Sequence, residues 1–539
     1  MRLALVALTT LLIPNFILAA EPATVYKILG RGTTTLESET EDQVLGKGVV
    51  KNYSISVDRA TLYNVRLRAR NIRNVTGKIR ILAGKDTANL QSLAVISVPP
   101  NTREVTSFWK RGLNLKPTYK ILQIEVLSQI RFGNLRIEGQ YDDPSSLPGC
   151  NNAEGLKAKT RYHKYLLDKP GVNLSQWISH SWDISLATAK KKITDRDFNL
   201  IKSMGFSHVR LNVEPFFLAP GWQTGGSSTS FKSDEFNFMV SAIRKLLDRN
   251  IAVVLAVFPT RRFASPDQSF KYAIEANDTR YLEFGEFLKV LGQKLSTAFP
   301  NDSHRLLYSW MNEPSFKNLD RFNKVQKYLL QKMREGAPDL TLVGTGNGYR
   351  YPYFIRTKKF TTDCNVIYDY HNYWPTVFTM QGADKFPFNY WKHLPYPSSP
   401  ELLAPYIAEL NAMGGEAATT AIGLEGYGNE RWNRESQLTH MEILYDWARQ
   451  YNQLVWVGEM GVYYPDQSDD RPDLNRLDTQ RRYAFFQDRV HAMEAFGFAW
   501  ALWDFSATFP EHFSPFTLDA NGKRIPDWNY LRALGLPRN

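Results

Sequence analysis

Cysteine is nearly absent: Cys150 and Cys364 are the only two in 539 residues. That scarcity excludes a disulfide-rich scaffold. Neither cysteine begins a Cys-x-x-Cys or Cys/His cluster, so a zinc site is disfavoured. The two could form one bridge or stand apart as buried thiols. Long hydrophobic runs are missing too: beyond residue 20 no stretch approaches the ~20 apolar residues of a membrane-spanning helix. The first twenty, MRLALVALTTLLIPNFILAA, carry one early charge at Arg2, a short apolar middle and small residues at Ala19 and Ala20. This pattern predicts a secretory signal peptide over 1–20, and hence a secreted or periplasmic protein. The net charge of +12 comes without a recognisable nucleic-acid-binding motif, so no nucleic acid is expected as a partner.

What is present is the composition of a packed protein. With 43% hydrophobic and 22% charged residues, the chain is not a disordered one. Aromatics make up 13%, which fits large cores or stacking platforms for flat ligands such as sugar rings. The length exceeds one typical domain. Residues 24–142 read as short alternating runs, among them NYSISV, YNVRLRAR and GKIRILAG, separated by Gly, Pro or Asn. They predict a smaller all-β sandwich over 21–143, an accessory module that is carbohydrate-binding-like in architecture. Arg66, Arg68 and Arg70 alternate along one of its strands. That face is either solvated or drawn to an acidic glycan or cell surface.

A linker is expected over 144–155. From 156 to 539 apolar runs alternate with amphipathic helical patterns. Eight candidate strands, from GVNLSQW (171–177) to FAWALWDF (498–505), predict an α/β fold, a (β/α)8 TIM barrel. Their interiors are apolar and their C-terminal ends switch to Asn, Glu, His, Tyr and Trp. In such barrels that end builds the active site. Glu313 closes the fourth run, in RLLYSWMNEPS, and Glu459 closes the seventh, in QLVWVGEMGVYY. An unpaired buried carboxylate is costly. Two of them flanked by aromatics point to the paired carboxylates that cleave a sugar acetal. The long connection over 375–435 carries Phe378, Trp391, Tyr396, Tyr427 and Trp432, and is expected to form a lid or cleft wall.

In order along the barrel stand GVNLSQW, IKSMGFSHVRLNV with Arg210, WMNEP with Asn312 and Glu313, YHNYW with His371 and Tyr373, VGEMG with Glu459, and ALWDF with Trp503. Six motifs in this order resemble glycoside hydrolase family 5, the cellulase-like retaining β-glycanases. The resemblance implies Glu313 as general acid/base, with a raised pKa, and Glu459 as nucleophile. Arg210 and Tyr373 would steady Glu459, Asn312 would bind the 2-hydroxyl, His371 would orient the acid, and Trp503 would floor the sugar. Trp177, Trp222, Trp374 and Trp432 are candidates for outer subsites. The implied substrate is a polysaccharide, cut in endo fashion by a monomer without metal or organic cofactor.

A β-1,4-glucan leads; a β-mannan, a β-1,3-glucan or a non-catalytic glycan-binding role are the alternatives. The family's usual histidine beyond strand three is missing, because AVFPTRRF stands there. Arg261 or Arg262 is expected to fill part of its place. Asn173-Leu-Ser has the form of a glycosylation sequon, but it closes the first strand, so it is expected to be unused.

Overall fold

In the computed structural model the two textures of the sequence fold as separate units, residues 1–140 and 141–539. The structure describes residues 25–28, 33–36, 43–58, 61–98, 100, 102–139, 147–167, 169–264, 268–348, 361–463, 472–506 and 513–536. The expected signal peptide lies outside the described residues. Among them no helix is long and apolar enough to cross a membrane.

The first unit is all-β. Its strands are β1 (Val25–Ile28), β2 (Thr33–Thr35), β3 (Gln43–Leu45), β4 (Val50–Val57) and β5 (Thr61–Asn71), then β6 (Gly77–Gly84), β7 (Leu90–Val98), β8 (Thr102–Leu115), β9 (Ile121–Ser128) and β10 (Ile130–Gly139). One sheet runs β1-β4-β9-β6-β7 and the other β2-β10-β5-β8, with β3 also on β10. The period-two pattern sorts the faces. Val65, Leu67 and Ala69 of β5 meet Ile79, Ile81, Leu122 and Ile124 of the facing sheet in one buried core. Arg66, Arg68 and Arg70 fall on the opposite face. It is not simply solvated: Arg66 is only 4% exposed, and Arg66 and Arg70 lie opposite Arg136 and Arg131 on β10.

In the second unit eight parallel strands close into a barrel, β11-β12-β13-β16-β17-β18-β19-β20. They are β11 (Gly171–Ile178), β12 (His208–Val213), β13 (Ala252–Val257), β16 (Leu306–Ser309), β17 (Thr341–Thr345), β18 (Val366–Asn372), β19 (Leu454–Met460) and β20 (Ala499–Ser506). The short hairpin β14 (Arg262–Phe263) and β15 (Gln268–Ser269) follows β13. Each expected run becomes a barrel strand. Strands covered on both faces need uninterrupted apolar residues, as in the AVVLAV of β13, where every side chain is buried.

The surrounding helices follow from their own sequences. In Leu319–Gly336 the Asn318 side chain accepts the Arg321 N–H and starts the helix. Its buried Phe322, Val325, Leu329 and Met333 form one stripe against the barrel. Gly336 ends it where a Cβ would meet the Lys289 carbonyl at 2.1 Å, so glycine lets the two helices close up.

Part of the expected linker belongs to the barrel. Leu147, Ala158, Tyr162 and Leu166 join Val254, Leu307 and Trp456 in one buried cluster. The Tyr162 hydroxyl donates to the Val455 carbonyl at 2.6 Å and accepts the Ala499 N–H at 2.8 Å. Cys150 and Cys364 are disulfide-bonded, which ties this segment to the approach of β18. The long connection after β18 is also more self-contained than expected. Helices Pro400–Met413 and Ala421–Asn429 pack within it. Phe378, Trp391, Tyr396, Tyr427 and Trp432 are all buried rather than lining an open cleft.

Candidate active site

The chemistry-bearing residues come from the C-terminal ends of the barrel strands. Arg210 and Asn212 stand on β12, Asn312 and Glu313 just beyond β16, Asp369 and His371 on β18, Glu459 on β19 and Trp503 on β20. Parallel strands in register bring these ends to one mouth. Across β18 and β19, His371 lies directly beside Glu459. Glu313 adopts φ 44°, the left-handed region. For a side chain larger than glycine this is a strained backbone costing about 1–3 kcal/mol. The turn is held from both sides: Asn312 N–H donates to the Val257 carbonyl at 2.8 Å, and Asn347 exchanges two bonds with the Phe316 backbone at 2.8 Å each.

Arg210 is fully buried and organises the site. Its Nη1 donates to Glu459 Oε1 at 2.7 Å and to Asn173 Oδ1 at 3.0 Å. Its Nη2 donates to Asn312 Oδ1 at 2.8 Å and lies 3.4 Å from Asp369 Oδ2. The Tyr373 hydroxyl donates to Glu459 Oε2 at 2.9 Å. His371 Nδ1 is 2.9 Å from Glu313 Oε1 and 3.3 Å from Glu459 Oε2, while its Nε2 is 3.4 Å from Asp369 Oδ2. One ligand atom each from Glu313, His371 and Glu459 all fall within 4.8 Å of one another. Glu459 is buried, whereas Glu313 is only half-buried and open to the mouth.

Burial pushes the His371 imidazole down, but Glu459, Asp369 and Glu313 overcome it and raise its pKa to about 10. The imidazole is therefore an imidazolium set among three carboxylates. Burial pushes Glu313 up, yet the His371 hydrogen bond and charge, with Lys271 and Arg210, bring it below the usual carboxylate range. For Glu459 burial wins over His371 and Arg210, helped by repulsion from Glu313 and Asp369, and the carboxyl is raised. This reverses the expectation of a raised Glu313. The reason is local: the proton of the group rests on His371, hydrogen-bonded to Glu313, rather than on Glu313 itself. Glu313, His371 and Glu459 are close enough to ligate an ion together, but the buried Arg210 guanidinium 2.7 Å from Glu459 repels a cation.

Several candidates lie elsewhere. Trp177 is 2% exposed and its Nε1 donates to the Ala189 carbonyl, with Phe198 and Phe238 against its ring. It is a barrel-to-helix packing residue. The register of β11 shifts between Leu174 and Ile178, and Gln176 turns to φ 51°, which breaks the alternation that would aim Trp177 inward. Trp222 sits in a buried cluster with Phe216, Phe263 and Phe270, and Trp432 is buried against His440. Trp374 remains half-buried after β18, and among the described residues no ring packs against it.

Neither arginine replaces the missing histidine. Arg261 donates to the Trp182 carbonyl at 3.1 Å, and Arg262 is exposed on the β14 hairpin. Phe258 occupies the place, stacked on Trp503 at 6.0 Å with the His180 ring 5.4 Å away. The Asn173 amide is consumed by the Gly458 and Leu502 carbonyls at 2.8 and 3.2 Å, so it is not available to a glycan.

Asp369, His180 and Lys271 are site residues that no sequence motif singled out, and Asn173, noted only as a sequon, joins them by accepting from Arg210. Asp369 had a signal: in YDYHNY it shares strand parity with His371 and Tyr373. His180 and Lys271 had none, because they arrive on connections.

The description Cellulase (glycosyl hydrolase family 5) matches residues 167–508. Endoglucanase C of Acetivibrio thermocellus is 21% identical over 341 residues, which cover 62% of this chain and 91% of the relative. Cellodextrinase A of Ruminococcus flavefaciens is 22% identical over 221 residues, 40% of this chain and 60% of the relative. Among solved structures, endoglucanase Cel5A from the hyperthermophilic Thermotoga maritima aligns with a TM-score of 0.49 at 17% identity, over 69% of this chain and 99% of that one.

Proposed function

The chain belongs to glycosyl hydrolase family 5, and from that premise we propose that this glycoside hydrolase is a retaining endo-β-1,4-glucanase acting through Glu459 and Glu313. The observation that carries the reading is the approach of the two carboxylates, whose oxygens come within 4.8 Å beside His371. Retaining enzymes hold their carboxyl groups about 5–5.5 Å apart, whereas inverting ones leave about 6.5–9.5 Å for a water.

In the first step Glu459 attacks the anomeric carbon while the glycosidic oxygen takes a proton from Glu313, and the leaving chain departs as an alcohol. Arg210 and Tyr373 aim the Glu459 oxygens. Glu313 obtains its proton along the 2.9 Å contact with His371. Asn312 has its amide oxygen engaged by Arg210, which leaves its NH2 to meet the 2-hydroxyl of the sugar. In the second step Glu313, now a carboxylate, takes a proton from water, and the hydroxide equivalent displaces Glu459 with net retention. Trp503 floors the sugar, and Trp374 serves as an outer stacking surface. Relatives named endoglucanase and cellodextrinase support a β-glucan as substrate.

The signal-like first twenty residues and the Cys150–Cys364 bridge support export to an oxidising compartment. The first unit is read as an accessory domain, and the enzyme as a monomer.

The test is a panel of β-1,4-glucan, β-mannan and β-1,3-glucan with the anomer of the first product followed by NMR. Cleavage of the β-1,4-glucan with the β-anomer appearing first is expected, and Glu459→Gln should abolish turnover. An α-anomer first, or cleavage confined to another polymer, would overturn the respective part of the reading.

A further inference from the structure

Among the described residues, Lys271 is the one cation of the mouth that the chemistry above leaves unused. It is half-buried in the helix Phe270–Ala276, which follows the β14–β15 hairpin. Phe270, Ala273 and Ile274 fix that helix by burial, with Phe270 against Phe216, Trp222, Phe263 and Phe284. One turn beyond Lys271, on the same face, Glu275 Oε1 accepts the Lys317 and Asn318 N–H groups at 2.7 and 3.2 Å. This face is therefore clamped to the turn that carries Glu313.

From there the Lys271 ammonium lies within electrostatic reach of Glu313, Glu459 and Arg210, and it also acts on His180 across the mouth. Burial holds its pKa below the usual lysine value despite the two glutamates. Yet Lys271 forms no hydrogen bond or ion pair with any described residue. Glu275, its natural partner at i+4, is engaged by backbone amides. Glu313 is engaged by His371, and Glu459 by Arg210 and Tyr373.

We propose that Lys271 contacts the substrate directly, and that the glycan this enzyme takes carries a carboxylate or similar anionic group on a sugar at the mouth. This rests on reading the mouth as the glycan-binding site. An ammonium with three free donors in a partly dry cleft has its hydrogen-bonding capacity met only by what binds there. When Glu313 takes up the acid proton, Lys271 loses the attraction of that carboxylate. A neutral hydroxyl would accept one hydrogen bond and leave the charge unmatched, whereas an anionic substituent supplies both.

The experiment uses the full chain carrying Glu459→Gln, with calorimetric titration of cellotetraose and of the same tetramer with one glucose oxidised at C6 to a uronate. The uronate is expected to bind at least about tenfold tighter at low salt. Lys271→Gln should bring the ratio close to one, and Lys271→Arg should keep it. Equal affinities, no binding of either ligand, or a ratio untouched by Lys271→Gln would overturn the proposal. Turnover by the wild-type chain is measured alongside. Failure to cleave either substrate counts against the proposed hydrolysis and leaves the binding ratio to decide the role of Lys271.

Discussion

Replacing Asp369 by Asn probes how the acid proton is held. Asn has nearly the same shape and can still accept the Gly458 N–H, now at 3.0 Å, so the variant removes a charge and keeps the backbone anchor. His371 loses a carboxylate oxygen 3.4 Å from its Nε2. Unit charges at that distance attract by roughly 5 kcal/mol at an effective dielectric constant of about 20. Glu459 and Glu313 remain as counter-charges and the site relaxes. We therefore take about half of that energy, roughly 2.5 kcal/mol, or nearly two pKa units.

His371 is raised to about 10 in the folded protein. Its contribution to stability is full below its unfolded value of about 6.5 and is lost as the pH rises through about 10. In Asp369→Asn that loss, and with it the alkaline limb of kcat/KM, should move down to about pH 8. The assay is a pH–rate profile on a soluble β-glucan with thermal unfolding recorded over the same range. An alkaline limb that stays in place, with unchanged kcat, would refute a proton held between Asp369, His371 and Glu313.

Three further outcomes are expected. Glu313→Gln should lower turnover of a polymer by roughly 10²–10⁴-fold while sparing the first step on an aryl glycoside whose leaving group needs no proton; equal losses on both would remove Glu313 from the acid role. Trp182 is 90% exposed on the connection after β11, at the catalytic end of the barrel. If a distal sugar stacks on it, Trp182→Ala should raise KM for long chains by about fivefold more than for short ones, as about 1 kcal/mol of ring contact requires; parallel changes would dismiss the stack. Reducing the bond between Cys150 and Cys364, which are 214 residues apart, should destabilise the chain by up to about 5 kcal/mol on a loop-entropy argument. Urea unfolding with and without reductant measures it, and superimposable curves would contradict the estimate.

The sequence by itself determined the fold and the two glutamates. Period-two alternation in the first unit and the AVVLAV-type runs of the second are local signals, because strand burial on one face or on both is written directly in side-chain polarity. Glu313 and Glu459 stood out because a carboxylate at the end of an apolar run needs a partner. The resemblance named Arg210, Tyr373 and His371 as partners, and tertiary structure added Asp369 and decided where the proton rests. Trp177 left the site because a bulge near Gln176 reversed its parity, which no residue pattern announces. Phe258 and His180, from different connections, took the place assigned to Arg261 or Arg262. The proton moved from Glu313 to His371 because charge is shared over a few ångströms in space, among Asp369, Glu459, Arg210 and Lys271. Their separation along the chain carries no trace of that distance. Strand polarity is a property of neighbours in sequence, whereas a pKa belongs to neighbours in space.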